Sequence, residues 1–240
     1  MALARLDIHS APVPVLCRAS QARHGGICSV LEPIQLLHLG RHARRQEVPP
    51  ETELIAFGER PRRHANILGG VVKLMKIMPD GRQQIVGLQF APDFLGRPFA
   101  DRSEVSAVAA STVRICSFPR EMLDEMARVS PDLVRRLHEQ ALRELDEARD
   151  WMLTLGRKTA AEKVASFLLF VAAHADPEGG APATEFEIPL DRASIADFLG
   201  LTVETVSRQL TLLRKAGVIA IEKQRQVTIT NPRALAAARS

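Results

Sequence analysis

The spacing of apolar residues along this chain changes character near residue 120. From about residue 35 to about residue 118, apolar and polar positions alternate and Gly or Pro punctuates every ten residues or so, the pattern of short strands. The clearest pair is Val71 to Met78 and Gln84 to Phe90, which flank Pro79-Asp80-Gly81. Asp-Gly signals a turn because both residues tolerate positive φ. A further run, Glu104 to Phe118, ends at Phe118-Pro119, and Pro119 suits the first turn of a helix. On Arg114 to Phe118 the two-residue period puts Cys116 on the opposite face from Val113 and Ile115, free to face the N-terminal arm. A short amphipathic helix is expected around Ile34 to Leu39, and the first 25 or so residues read as irregular.

From Arg120 the period becomes helical, with one long helix from Pro131 to about Leu155. Val134, His138, Ala141, Leu145, Ala148 and Met152 recur at steps of four and three, on one stripe. Such a stripe packs on its own domain or on a second copy of the chain. Charges on the other faces, from Arg135, Arg136, Glu139, Arg143, Glu144, Asp146 and Glu147, favour the second copy, and Ala141 and Ala148 allow close backbone approach. Another amphipathic helix is expected over Lys158 to Ala173, with Ala161, Val164, Ala165, Leu168 and Leu169 apolar, followed by a turn-rich loop from Ala175 to Thr184.

Leu190 to Arg214 has the layout of a helix-turn-helix. Asp191 caps a first helix whose apolar face is Ile195, Ala196 and Leu199, and Gly200 makes the turn. Thr202 caps a second helix with Val203, Val206, Leu210 and Leu213 inward and Glu204, Thr205, Ser207, Arg208 and Thr211 outward. The outward set suits a DNA major groove. Arg208 can contact guanine O6 and N7, Glu204 can accept from cytosine N4, and Ser207 can meet a base edge or a thymine methyl. Thr202 and Gln209 could bond phosphates. Beyond Gly217, Val218 to Lys223 and Gln226 to Thr230 read as a hairpin wing that holds Lys223 and Arg225 near the DNA backbone.

Composition adds bounds to this pattern. With 240 residues, 46% hydrophobic and 25% charged, the chain is of an ordinary globular kind and long enough for two domains. A net charge of +4 and a pI near 9.3 favour a polyanionic partner. There is no apolar run of membrane-spanning length and no leader pattern, so a cytoplasmic protein with no membrane partner is expected. The seven histidines, from His9 to His174, form no metal-protease, nucleophile-elbow or phosphate-loop motif, so an enzyme is not expected. Cys17, Cys28 and Cys116, odd in number and far apart, argue against a disulfide framework and for thiols, a redox switch or metal ligands.

Leu199 to Arg208 and Trp151 to Ala160 resemble the CRP/FNR family of bacterial regulators, and in particular its FNR and FixK branch. The resemblance runs along nearly the whole chain. It implies an α+β fold: an N-terminal arm (1–34), an antiparallel β-roll of cupin-like jelly-roll type (35–118), a dimerisation helix region (119–156) and a winged helix-turn-helix (157–240). It also implies a homodimeric regulator, commonly an activator that meets RNA polymerase, of low-oxygen or redox-responsive genes. Residues matching Glu204, Ser207 and Arg208 would read a TTGAT-N4-ATCAA-like palindrome in double-stranded DNA.

Cyclic-AMP members of the family carry a Gly-Glu and an Arg-Ser pair. Here Gly96-Arg97 puts a cation in place of the carboxylate, so Arg102-Ser103 is read as coincidence and no cyclic-AMP response is expected. Members with a 4Fe–4S cluster use three N-terminal cysteines and a fourth in the β-roll. Cys17, Cys28 and Cys116 resemble the first, third and fourth of these, while Ser20 holds the second place. The resemblance thus leaves two readings: a cluster whose fourth ligand is Ser20 or His24, or a decayed site in a regulator governed by thiol oxidation or abundance.

Overall fold

A computed structural model describes residues 25–175 and 182–239, which form two compact units: 25–72 with 89–143, and 73–88 with 144–239. The expected irregular arm therefore lies almost wholly outside the described residues, with Cys17, Ser20 and His24.

In the first unit a 3-10 turn at Ile27–Val30 leads into helix α1, Pro33–His42. Pro33 sits at the first helical position and Glu32 forms a capping box with Gln35, whose Oε1 accepts from the Glu32 N–H at 2.9 Å. The strands up to residue 119, of which most of β4 and β5 belong to the second unit, are β1 (Arg44–Val48), β2 (Glu53–Ile55), β3 (Arg63–Gly69), β4 (Val71–Ile77), β5 (Gln83–Phe90), β6 (Phe94–Leu95), β7 (Ser106–Ala109) and β8 (Val113–Pro119). They form two four-stranded sheets, ordered β1-β8-β3-β6 and β2-β7-β4-β5. Gly70, with φ of +80°, turns β3 into β4; a Cβ there would lie 2.2 Å from the Thr112 carbonyl oxygen, so no larger residue fits.

The expected single run from Glu104 to Phe118 is two strands. β7 belongs to one sheet and β8 to the other, and Ala110 to Thr112 carry the chain round the corner between them. Pro119 ends β8 and caps helix α2 (Arg120–Val129) from outside rather than entering its first turn.

β8 separates two environments by its alternation. Ile115 and Ser117 line a pocket of about 200 Å³ between the sheets, with Arg44, Arg63, Leu95 and Ile55. Phe118 faces the other way, into a core with Cys28, Leu36, Leu39, Leu123 and Leu133. Leu133 belongs to the long helix α3 (Pro131–Arg157).

In the second unit the β4–β5 hairpin turns at Gly81, whose φ is +86°. Asp80 keeps an ordinary φ and instead accepts from the Arg82 N–H at 3.0 Å, so one of the two turn residues supplies the backbone freedom and the other an acceptor. α3 runs through Gly156 to Arg157, and the chain reverses where Thr159 and Glu162 cap each other at the start of α4 (Ala160–Ala175). α4 buries Val164, Ala165, Phe167, Leu168, Val171 and Ala172; of the residues expected inside, Ala161 is exposed and Leu169 half-buried. Then come β9 (Glu185–Glu187), α5 (Arg192–Leu199), α6 (Val203–Lys215), β10 (Ile219–Glu222), β11 (Gln226–Ile229) and α7 (Pro232–Ala237). The small sheet is ordered β10-β11-β9, so the expected hairpin has a third strand. At three residues, Glu185–Glu187 is too short for its alternation to register in sequence.

Candidate nucleic-acid interface and buried thiols

The helix-turn-helix is built by local capping. The Asp191 side chain accepts from the Ser194 N–H at 2.7 Å, and that hydrogen bond holds its carboxyl below the usual range. α5 buries Ile195, Ala196 and Leu199 as expected, and also Phe198. Gly200 closes the helix at φ +60° and ψ +44°, a left-handed conformation that a Cβ penalises. Thr202 then caps α6 by accepting from the Thr205 N–H at 3.2 Å, while its own hydroxyl donates to Thr205 Oγ1 at 3.1 Å.

α6 buries Val206 and Leu210; Leu213 is half-buried, and Val203, expected inside, is 40% exposed because it lies in the first turn beyond the edge of the core. The open face carries Glu204, Ser207 and Arg208, all exposed, with Thr205, Gln209 and Thr211 half-buried. Positions 204, 207, 208 and 211 follow the i, i+3, i+4, i+7 spacing of one helical face. The Glu204 carboxyl is held low by hydrogen bonds to its own backbone N–H and to Thr202, so it is an anionic acceptor at neutral pH.

Glu222 pairs with Gln226, and the three residues between them turn through positive φ at Lys223 (46°) and Gln224 (67°). Lys223 and Arg225 are exposed at this tip. Arg192 secures it, donating from Nη2 to the Gln224 carbonyl at 2.9 Å, and burial followed by nearby Arg225 lowers its guanidinium pKa. Arg192 was not anticipated, because a tie between residues 32 apart leaves no periodic signal. One unit thus presents a capped helix with a cation, a carboxylate and a hydroxyl outward, and a cationic hairpin tip.

The stripe expected to form a dimer seam is open. On α3, Leu133 and Leu137 are buried, whereas Val134, His138, Ala141, Leu145, Ala148 and Met152 are exposed, Leu145 at 45% and Met152 at 73%. Leu142 and Leu153, outside the anticipated stripe, are exposed beside it and broaden the apolar band.

Cys28 and Cys116 lie deep in the first unit, 7% and 8% exposed. Asn66 links them: its Nδ2 donates to Cys28 Sγ at 3.3 Å, and it is the β3 residue directly opposite Cys116 in the β3–β8 register. Among the described residues no group of three or more His, Cys, Asp or Glu is placed to hold a metal. His64, two residues from Asn66, is 1% exposed with both ring nitrogens unpartnered, its ring tilted at 58° against Phe94 with centroids 5.2 Å apart. Burial first, and then Arg120, push its pKa down to about 4.

In the Gly96-Arg97 and Arg102-Ser103 pairs, Arg97 and Arg102 are exposed, and the buried Ser103 hydroxyl donates to the Val105 carbonyl at 2.6 Å. No helix among the described residues is long and apolar enough to cross a membrane.

Residues 162–238 match the Crp-like helix-turn-helix domain, and residues 45–130 match the cyclic nucleotide-binding domain. The chain is 56% identical to a probable transcriptional activator of Rhizobium leguminosarum bv. viciae over 95% of each chain. It is 37% identical to the transcriptional activator protein FnrL of Cereibacter sphaeroides, over 94% of this chain and 93% of that one. The solved structure of FixK2 from Bradyrhizobium japonicum superposes with a TM-score of 0.75 at 30% identity, covering 82% of this chain and 98% of that one.

Proposed function

The chain belongs to the CRP/FNR family of transcriptional activators, and from that premise we propose that it binds DNA as a homodimer and answers to oxygen or redox state through its cysteines. The observation that carries the DNA-binding half is the outward face of α6, where Glu204, Ser207 and Arg208 stand exposed on the second helix of a helix-turn-helix fixed by two caps and a glycine. On this reading the three residues read base edges of a TTGAT-N4-ATCAA-like palindrome. The N-terminus of α6 meets phosphate with Thr202, Thr205 and Gln209, and Lys223 and Arg225 follow the backbone from the wing. The apolar band of α3 joins two copies so that two recognition helices meet successive major grooves one turn apart. The protein works in the cytoplasm, where the bound dimer touches RNA polymerase.

For the signal, the support for a shared site is that Cys28 and Cys116 both adjoin Asn66 and carry the chemistry a cluster needs. Soft thiolates suit iron–sulfur clusters, and these two stand around one asparagine on a single face of the roll. Cys17, with Ser20 or His24, would complete the ligand set. Such a cluster supplies an oxygen-labile centre whose loss loosens whatever it holds together. A cyclic nucleotide is not part of this reading, because Arg97 brings a cation where a ribose acceptor is required.

One preparation tests both halves. Protein purified under argon is assayed for iron and sulfide, then titrated by fluorescence anisotropy against the palindrome and a scrambled duplex, under argon and in air. The proposal expects preference for the palindrome, with iron and sulfide present and binding reduced by air. Equal affinity for both duplexes overturns the DNA-binding reading; iron-free protein that binds equally in air and argon overturns the cluster.

A further inference from the structure

The second half of α3 has two faces with different duties. Leu145, Met152 and Leu153 are exposed on the apolar band, Met152 at 73% and Leu153 at 59%. A second face, carrying Glu147 and Trp151, is fastened to α4, and Lys158, just beyond the end of α3, is tied to α4 as well. Glu147 Oε1 lies 3.6 Å from His174 Nε2, and Lys158 Nζ donates to Ser166 Oγ at 2.9 Å. Trp151 stands edge-on to Phe170 at 5.4 Å and 89°, and it also reaches past α4 to Phe198 of α5, with ring centroids 4.5 Å apart. Phe198 is 2% exposed, also meets the Phe167 ring at 6.1 Å, and lies two residues before the Gly200 turn that sets the direction of α6.

We propose that Trp151 is the positioning residue of the DNA-binding reaction: the ring through which the dimer seam of α3 fixes the direction of the recognition helix α6. The inference rests on the dimeric reading above and adds to it the part that sets half-site spacing. A rotation of α3 at the seam moves Trp151, whose ring bears on Phe198 in the first helix of the helix-turn-helix. Interiors at packed density transmit such displacements rather than absorb them. An aliphatic residue at 151 fills space without the edge-on and tilted ring contacts, which have defined geometry. DNA turns through a full circle in about 10 base pairs and 34–36 Å, so each added base pair between half-sites demands a new separation and rotation of the two recognition helices.

The test uses the full-length protein and operators whose half-sites are three, four or five base pairs apart, with a scrambled duplex as control. Wild type is expected to prefer one spacing by about tenfold, a modest part of the 10² to 10⁴ that joint engagement of two sites supplies. Trp151→Ala is expected to sediment as a dimer and to keep its preference for true half-sites over scrambled DNA, but to bind the three spacings within about twofold of one another, a flattening of that same avidity term. Trp151→Phe is expected to restore most of the preference. If Trp151→Ala fails to fold, Trp151→Leu replaces it with the same expected result. A substituted dimer that keeps the wild-type spacing preference, or a wild type indifferent to spacing while selecting half-sites, overturns the proposal. Wild type that binds scrambled DNA equally well overturns the DNA-binding reading itself, a result distinguishable from the other two.

Discussion

In the winged unit each exposed group facing outward is presented by a cap or turn a few residues away: Asp191 to Ser194, Thr202 to Thr205, Gly200 between the helices, Lys223 and Gln224 at the wing tip. On the core-facing side of β8 that carries Cys116, the groups meet because distant segments pack together. Cys28 reaches Asn66 across 38 positions, and Asn66 meets Cys116 across the sheet. The first kind of site can lose one side chain and keep its frame. The second is part of the core, so changes in its chemistry are also changes in stability.

The largest effect should come from breaking the geometry common to both α6 helices. Leu145→Glu puts a carboxylate on the apolar band that the proposed dimer buries. Without joint engagement of two half-sites, DNA affinity should fall by about 10² to 10⁴. Sedimentation checks the cause: an unchanged dimer would move the interface away from α3.

The cysteine face should reveal itself through pH. His64 in the fold has a pKa near 4, whereas an unfolded histidine titrates near 6.5. Between those values the unfolded chain binds more protons, so stability rises with pH through the window and is lost on acidification. The shift corresponds to about 3 kcal/mol lost between pH 7 and pH 4. Urea unfolding of wild type and His64→Leu at both pH values should show a steeper loss in wild type; parallel losses would mean that His64 is not buried neutral.

The smallest effect belongs to a cap. Asp191→Ala removes the acceptor for Ser194 N–H and should cost about 1 kcal/mol of stability, read as a shift in urea midpoint. A shift as large as that from a core truncation would contradict the claim that this frame is locally supported.

The same contrast explains what could be read from the chain alone. Caps, turn glycines and helical spacing act over three or four residues, so α5, α6, the wing hairpin and α3 were legible from Asp191, Gly200, Thr202 and the stripe containing Leu145. Period two also put Cys116 on the face away from the pocket lined by Ile115. Hidden were features made by tertiary pairing: the sheet change at Ala110 to Thr112, the strand Glu185–Glu187, the tie from Arg192 to Gln224, and Asn66 between two cysteines. Val203 was misplaced because helical spacing gives a face but not where the core ends along it.

Base-edge reading by the exposed face of α6 is tested most directly by a cycle that pairs one side chain with one base. Wild type and Arg208→Ala are each titrated against the TTGAT palindrome and against the same palindrome with both guanines replaced by adenine. Wild type should lose about 1 to 3 kcal/mol per half-site on the base change, while Arg208→Ala, already weaker, should lose little more. If Arg208→Ala discriminates the two duplexes as strongly as wild type does, Arg208 does not read the guanine and the account of α6 is wrong.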